Sequence, residues 1–116
     1  MLYKIVPEGL WREARAAGVF TGAEVDRADG FIHLSSAAQV RETARRHFAG
    51  QADLRLIGLD ADRLPGLRWE PSRGGALFPH VYGDLPLEAV VSDKALPWDG
   101  AAHVFPASVP DDGAPA

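Results

Sequence analysis

Apolar residues in this chain come in short blocks separated by glycine, proline and charge. Leu2 to Val6 is β-rich and halted by Pro7, which predicts a first strand. Pro7 suits the first turn of a helix and Glu8 its positive end. Leu10, Trp11, Ala14 and Ala17 then recur at helical spacing up to Gly18, a good helix-ending residue. Gly18 to Gly30, with Thr21, Asp26 and Asp29, predicts a loop, and Phe31 to Leu34 a second strand containing His33. Ser36 with Gln39 three residues later is a capping-box pattern. The helix it predicts puts Ala37, Val40, Ala44, His47 and Phe48 on one face and Arg41, Glu42, Arg45 and Arg46 on the other, and ends at Gly50. Leu54 to Leu59 predicts a third strand, Asp60 to Gly66 a turn, and Leu67 to Glu70 a fourth strand. Pro71 to Pro79 is the longest irregular interior stretch, and Val81-Tyr82 and Leu87 to Val91 supply the last strands.

The resulting order, β-α-β-α-β-β-β, has too few helices to cover both faces of a parallel sheet. The expected fold is therefore α+β, with a small, curved, mostly antiparallel sheet and two principal helices. One domain is expected over residues 1–105. Pro106 to Ala116, with three prolines and Val109 as its one sizeable apolar residue, predicts a disordered tail. Leu10, Trp11, Phe31, Val40, Phe48, Leu56, Ile57, Trp69 and Val90 are the expected core.

Composition narrows the functional classes. The 116 residues are 47% hydrophobic and 24% charged, as in ordinary globular domains. With no cysteine there is no disulfide framework, thiolate metal site or cysteine nucleophile. A formal charge of −4 argues against non-specific nucleic-acid binding, so no DNA partner is expected. No apolar run approaches a membrane span, and the Met1-Leu2-Tyr3-Lys4 opening lacks the apolar core of a signal peptide. A small cytoplasmic protein without a membrane partner is expected.

Chemically capable residues gather in three segments: Asp29 to Ser35, Arg68 to Arg73, and Phe78 to Gly83. Each sets a polar group in or beside an apolar strand, where an unpaired one costs about 1–3 kcal/mol. Three such placements in one small domain point to a site, although His33 paired with Glu70 would be a purely structural alternative. His33 fits a base, a ligand anchor or a core histidine. Ser35 fits a ligand contact or a helix start. Glu70 fits a general base or an exposed strand end. Arg73, followed by two glycines, fits a phosphate contact. His80 and Tyr82, two apart, would share a strand face, where Tyr82 stacks a planar ring or is simply half-buried. His47 and His103 are given no role. There is no Gly-x-Gly-x-x-Gly or Walker sequence, no His-x-His or His-Glu-x-x-His, and no nucleophile elbow around Ser35. No metal site is expected, since His33, Glu70 and His80 lack ligand spacing.

In combination, Asp26-Arg27-Ala28-Asp29-Gly30-Phe31-Ile32-His33-Leu34-Ser35, Gln39, His47-Phe48-Ala49-Gly50, Arg68-Trp69-Glu70 and Phe78-Pro79-His80-Val81-Tyr82-Gly83 resemble the small bacterial family called domain of unknown function 952. The resemblance runs from Tyr3 to about Trp98. That family is in turn similar in fold to the ADP-ribosyltransferase superfamily, whose members grip NAD in a small split β-sheet. The resemblance implies an enzyme of the ADP-ribosyl-transfer type with NAD, or a related ribonucleotide, as substrate and no separate cofactor. His33 and Ser35 would hold ribose, Arg73 the phosphates and Tyr82 the nicotinamide ring. Glu70 and His80 would be catalytic. The order departs from that superfamily, whose catalytic glutamate follows the tyrosine: Glu70 precedes Tyr82, and Glu88 comes late without a companion motif. The alternative is a non-catalytic module binding a small ligand or a protein in the same cleft.

Overall fold

The computed structural model describes residues 1–109, apart from the side chain of Arg73. The chain runs β1 (Leu2–Pro7), α1 (Glu8–Ala17), β2 (Val19–Phe20), α2 (Glu24–Asp29), β3 (Ile32–His33), β4 (Ser35–Ser36), α3 (Val40–His47) and β5 (Leu54–Leu59). After it come β6 (Leu67–Pro71), β7 (Leu77–Val81), β8 (Leu85–Pro86) and β9 (Val90–Ala95). Three sheets form, ordered β4-β1-β5-β9, β3-β7-β6 and β2-β8. Among the described residues every strand pairing is antiparallel, so the fold is α+β as expected, with three helices instead of two. No helix among the described residues is long and apolar enough to cross a membrane.

The largest sheet separates two cores, and side-chain alternation along its central strands assigns residues to each. Leu2 and Val6 of β1, with Ile57 and Leu59 of β5, join Trp11 and Ala14 of α1 and Phe20 of β2. Tyr3 and Ile5, with Leu54 and Leu56, meet Val40 and Ala44 of α3 on the other side. Both central strands are therefore almost wholly apolar, with Lys4 and Arg55 as the exceptions, and Arg55 pairs with Asp93 of β9. Gly58 has a steric reason: a Cβ there would collide with the side chains of Ser92 and Met1 at the β5–β9 irregularity.

Several expectations need correction. The loop from Gly18 to Gly30 contains β2 and α2, because Asp26 accepts the Ala23 N–H at 2.8 Å and closes a first helical turn. Gly18 ends α1 at φ 83°, in the left-handed region as expected. α3 starts at Val40, not after Ser36: Ser36 N–H donates to Gln39 Oε1 at 3.0 Å and Gln39 N–H to Ser36 O, giving a turn ahead of the helix. The irregular stretch after Pro71 becomes strand at Leu77. The strand expected over Leu87 to Val91 is a 3-10 turn, Leu87–Ala89, leading into β9. Trp11, Val40, Leu56 and Ile57 are buried; Leu10, Phe31, Phe48 and Val90 are half-buried. Trp69 is 48% exposed, because β6 is an edge strand and turns it away from the core.

The ordered chain also reaches past residue 105. Val109 is buried in the α3-side core, and Arg41 Nη2 donates to its carbonyl at 2.7 Å. The boundary expected at Pro106 is therefore too early, while residues 110–116 of that expected tail lie outside the described residues. Val109→Ala should lower stability by about 1–2 kcal/mol, a loss of several degrees in melting temperature. A thermal melt matching wild type would show that this contact carries no energy.

Candidate functional site

The site is assembled where β3 and β7 pair. Their register sets His33 directly opposite His80, with ring centroids 5.6 Å apart. β7 in turn pairs with β6, which brings Glu70 and Arg68 beside it. Gly66 makes the approach feasible at positive φ, since a Cβ would strike the carbonyl of Tyr82, whose N–H donates to Gly66 O. His33, Ser35 and His80 all line one cleft of about 510 Å³, together with Lys4, Asp29 and Thr43.

His33 is held from two sides. Its Nδ1 lies 2.7 Å from Asp26 Oδ1 and its Nε2 2.9 Å from Asp29 Oδ2. Asp26 is buried and also accepts from the His33 N–H and the Lys4 ammonium. Lys4 spends its other donors on Asp26 Oδ2 and on the His33 carbonyl at 2.9 Å. Burial alone would raise the Asp26 carboxyl. The His33 ring, the Lys4 ammonium and the backbone N–H groups of Ala23 and His33 outweigh it and hold this carboxyl well below the usual range. Burial pushes Lys4 down, against the pull of the Asp26 charge.

His80 is held differently. Its side chain is 5% exposed, and its Nδ1 lies 2.9 Å from Glu70 Oε1. The same carboxylate oxygen accepts from Tyr82 OH at 2.8 Å. Hydrogen bonds from His80 and then Tyr82 hold the Glu70 carboxyl below its ordinary value, and the bond to Glu70 raises the Tyr82 phenol. An ionised Glu70 accepts, so Nδ1 carries a proton. Among the described residues His80 Nε2 has no hydrogen-bond partner. Phe31 lies over the His80 ring, centroids 4.1 Å apart at 27°, and touches His33 and Tyr82 as well.

The expected site residues therefore separate into groups. His33, Ser35 and His80 come together on the cleft. Glu70 and Tyr82 do not line it and reach it only through His80; Tyr82 is 43% exposed with the Arg68 guanidinium 5.2 Å from its ring. The Arg73 side chain lies outside the described residues. Sequence reasoning gave no role to Lys4, Asp26, Asp29, Phe31 or Thr43. Lys4 carried a usable signal, a charge inside an apolar strand, whereas Asp26 was concealed by its loop-like surroundings.

Residues 5–93 match the family model described as "Protein of unknown function (DUF952)". The chain belongs to that family. It is similar to CC0527 from Caulobacter crescentus, whose X-ray structure shares 45% sequence identity at a TM-score of 0.85, covering 89% of this chain and 92% of that one. The solution NMR structure of CC0527 aligns at 46% identity and a TM-score of 0.79, over 88% of this chain and 89% of that one. No curated protein matches the chain. The family match begins within β1 and ends within β9, and so includes Asp26, His33, Glu70 and His80.

Two consequences of the Lys4–Asp26 pair can be measured. Asp26→Asn should cost about 3–5 kcal/mol in urea denaturation, because it strands a buried ammonium, and adding Lys4→Met should recover part of that loss. A double variant no more stable than Asp26→Asn alone would deny the coupling. The pH dependence has a definite sign. The unfolded carboxyl titrates near 3.8 and the folded one lower, so its contribution is complete above about pH 5 and is lost as pH falls further. Asp26→Asn should remove that part of the acid dependence.

Proposed function

We propose that the cleft binds NAD or a related ribonucleotide and that the protein is an enzyme acting on it, with His80 as the proton-accepting group. The observation that carries this is the buried His80 ring on the cleft, tied through Nδ1 to Glu70 and, among the described residues, without a partner at Nε2. A buried polar atom without a partner is costly, and a ligand hydroxyl would satisfy it. A carboxylate that fixes the tautomer and orientation of a histidine is how general bases are commonly prepared. Glu70 is then a positioning residue. In ribosyl transfer, His80 would take the proton from the attacking hydroxyl or water as the bond from ribose to its base breaks. The negative charge on Asp29 and Glu70 would favour the oxocarbenium-like transition state.

The nucleotide class is supported by the likeness, proposed here, of this small antiparallel architecture to the ADP-ribosyltransferase fold. Phe48 and Phe78 on the cleft wall offer flat apolar surface to a base. Tyr82, which the likeness would use to stack nicotinamide, sits off the cleft, so the aromatic wall takes that part instead.

Calorimetric titration with NAD, ADP-ribose and nicotinamide tests the ligand class, and at least one should bind. His80→Ala should reduce turnover of the bound ligand by about 10²–10⁴-fold and weaken its binding by the worth of one hydrogen bond, about two- to tenfold. Glu70→Gln should give a smaller loss in the same direction. Absence of binding by all three ligands would end the nucleotide proposal.

A further inference from the structure

Strand β6 is paired on one side only, as the outer strand of the β3-β7-β6 sheet. Its hydrogen-bonding phase against β7 is fixed at both ends. Tyr82 N–H donates to Gly66 O before the strand and Ser72 N–H to Ala76 O after it, so Arg68 and Glu70 turn their backbone groups toward β7. Pro79, opposite Trp69, fits that phase: it has no N–H, and its carbonyl accepts the Leu34 N–H on the far side of β7. Leu67, Trp69 and Pro71 therefore aim their backbone groups at the open edge, where they meet no hydrogen-bond partner among the described residues. Such an edge is a template for another strand unless lysine, proline or a bulge blunts it. Pro71 closes one end, and the middle of β6 carries none of these.

The edge is complementary to itself. In Leu67-Arg68-Trp69-Glu70-Pro71 a cation and a carboxylate lie symmetrically about Trp69, and both share the sheet face opposite to it. A second β6 laid antiparallel, Trp69 against Trp69, sets each Arg68 directly across from the partner's Glu70 on both sides of the two-fold axis. The backbone phase agrees. Trp69 then sits in a hydrogen-bonded pair that exchanges N–H···O=C bonds both ways, and each Leu67 N–H meets the carbonyl of the partner's Pro71. The register is specified as well. Sliding one strand by two residues, the smallest step that keeps this phase, sets Arg68 against Arg68 or Glu70 against Glu70. The same pairing brings together two tryptophans that are each 48% exposed in the single chain.

We propose that β6 is the interface of a two-fold symmetric dimer of this chain, made by antiparallel β6–β6 pairing centred on Trp69. The pairing extends the β3-β7-β6 sheet across the axis and does not depend on the nucleotide reading. It does reach the candidate site: Glu70, which holds His80 Nδ1, gains the partner's Arg68 as a neighbour. An interface built on one short strand belongs to the weak class, so the dimer should form at micromolar concentrations or above.

Sedimentation equilibrium of the full chain over a concentration series, with amide hydrogen exchange followed by NMR, tests the pairing. Wild type should pass from monomer to dimer, and the Trp69 amide should gain protection in step with it. The Arg68 amide, already turned to β7, should stay protected throughout. Arg68→Glu and Glu70→Arg should each weaken self-association about tenfold or more, and an equimolar mixture of the two should recover the dimer, because the facing strands are again opposite in charge. Circular dichroism melts establish that each variant is folded. Trp69→Thr, at an exposed position, should weaken the dimer at little cost in melting temperature, and with Arg68→Glu it carries the test should Glu70→Arg fail to fold. A chain that stays monomeric at the highest concentration, or a dimer that leaves the Trp69 amide unprotected, would overturn the proposal. So would a dimer unmoved by Arg68→Glu and Trp69→Thr, or two folded charge variants that fail to associate when mixed.

Discussion

A lysine in the middle of the most buried strand is the constraint on which the rest depends. β1 is covered on both faces, so the Lys4 ammonium is nearly shut off from water and must be neutralised in place. Asp26 does so, and to get there the chain after β2 has to fold back across the end of β1. The short helix α2 is the device: six residues long, with little apolar surface, it is anchored by a carboxylate that caps its first turn and closes the ion pair. The same carboxylate takes the backbone N–H and the ring of His33. Charge neutralisation in the core and placement of a cleft histidine are thus one interaction.

The second histidine is positioned by sheet register. β3 is two residues long, yet its pairing with β7 fixes His33 against His80, and alternation along β6 and β7 puts Glu70 and Tyr82 on the His80 side. Two carboxylate-supported histidines then face one cleft in different hydrogen-bonding states. His33 is saturated by its own chain. His80 is buried and, among the described residues, has a partner at Nδ1 alone. The similarity to CC0527 covers 89% of the chain.

Much of the architecture was legible locally. Strands β1 and β5, helix α1 with its Gly18 end, and the amphipathic face of α3 follow from apolar periodicity and terminal residues, and these signals survive folding because tertiary packing rewards them. The misplaced elements share a cause. α2, β2, β4 and the buried Val109 owe their conformation to partners distant in sequence, and Trp69 is exposed only because its strand lies at an edge.

For the site, the sequence by itself determined which residues were out of place: His33, Ser35, Glu70 and His80 each put a polar group where local pattern called for an apolar one, and an expensive placement is visible without knowing its partner. Lys4 was equally visible by that criterion. Only the tertiary structure decided how each cost is met. It joined Lys4 to Asp26 across 22 residues, made Glu70 the support of His80 instead of a cleft carboxylate, and drew Tyr82 off the cleft wall. Pairing depends on which strands meet and in what register, and those long-range choices are set by the packing of the whole chain.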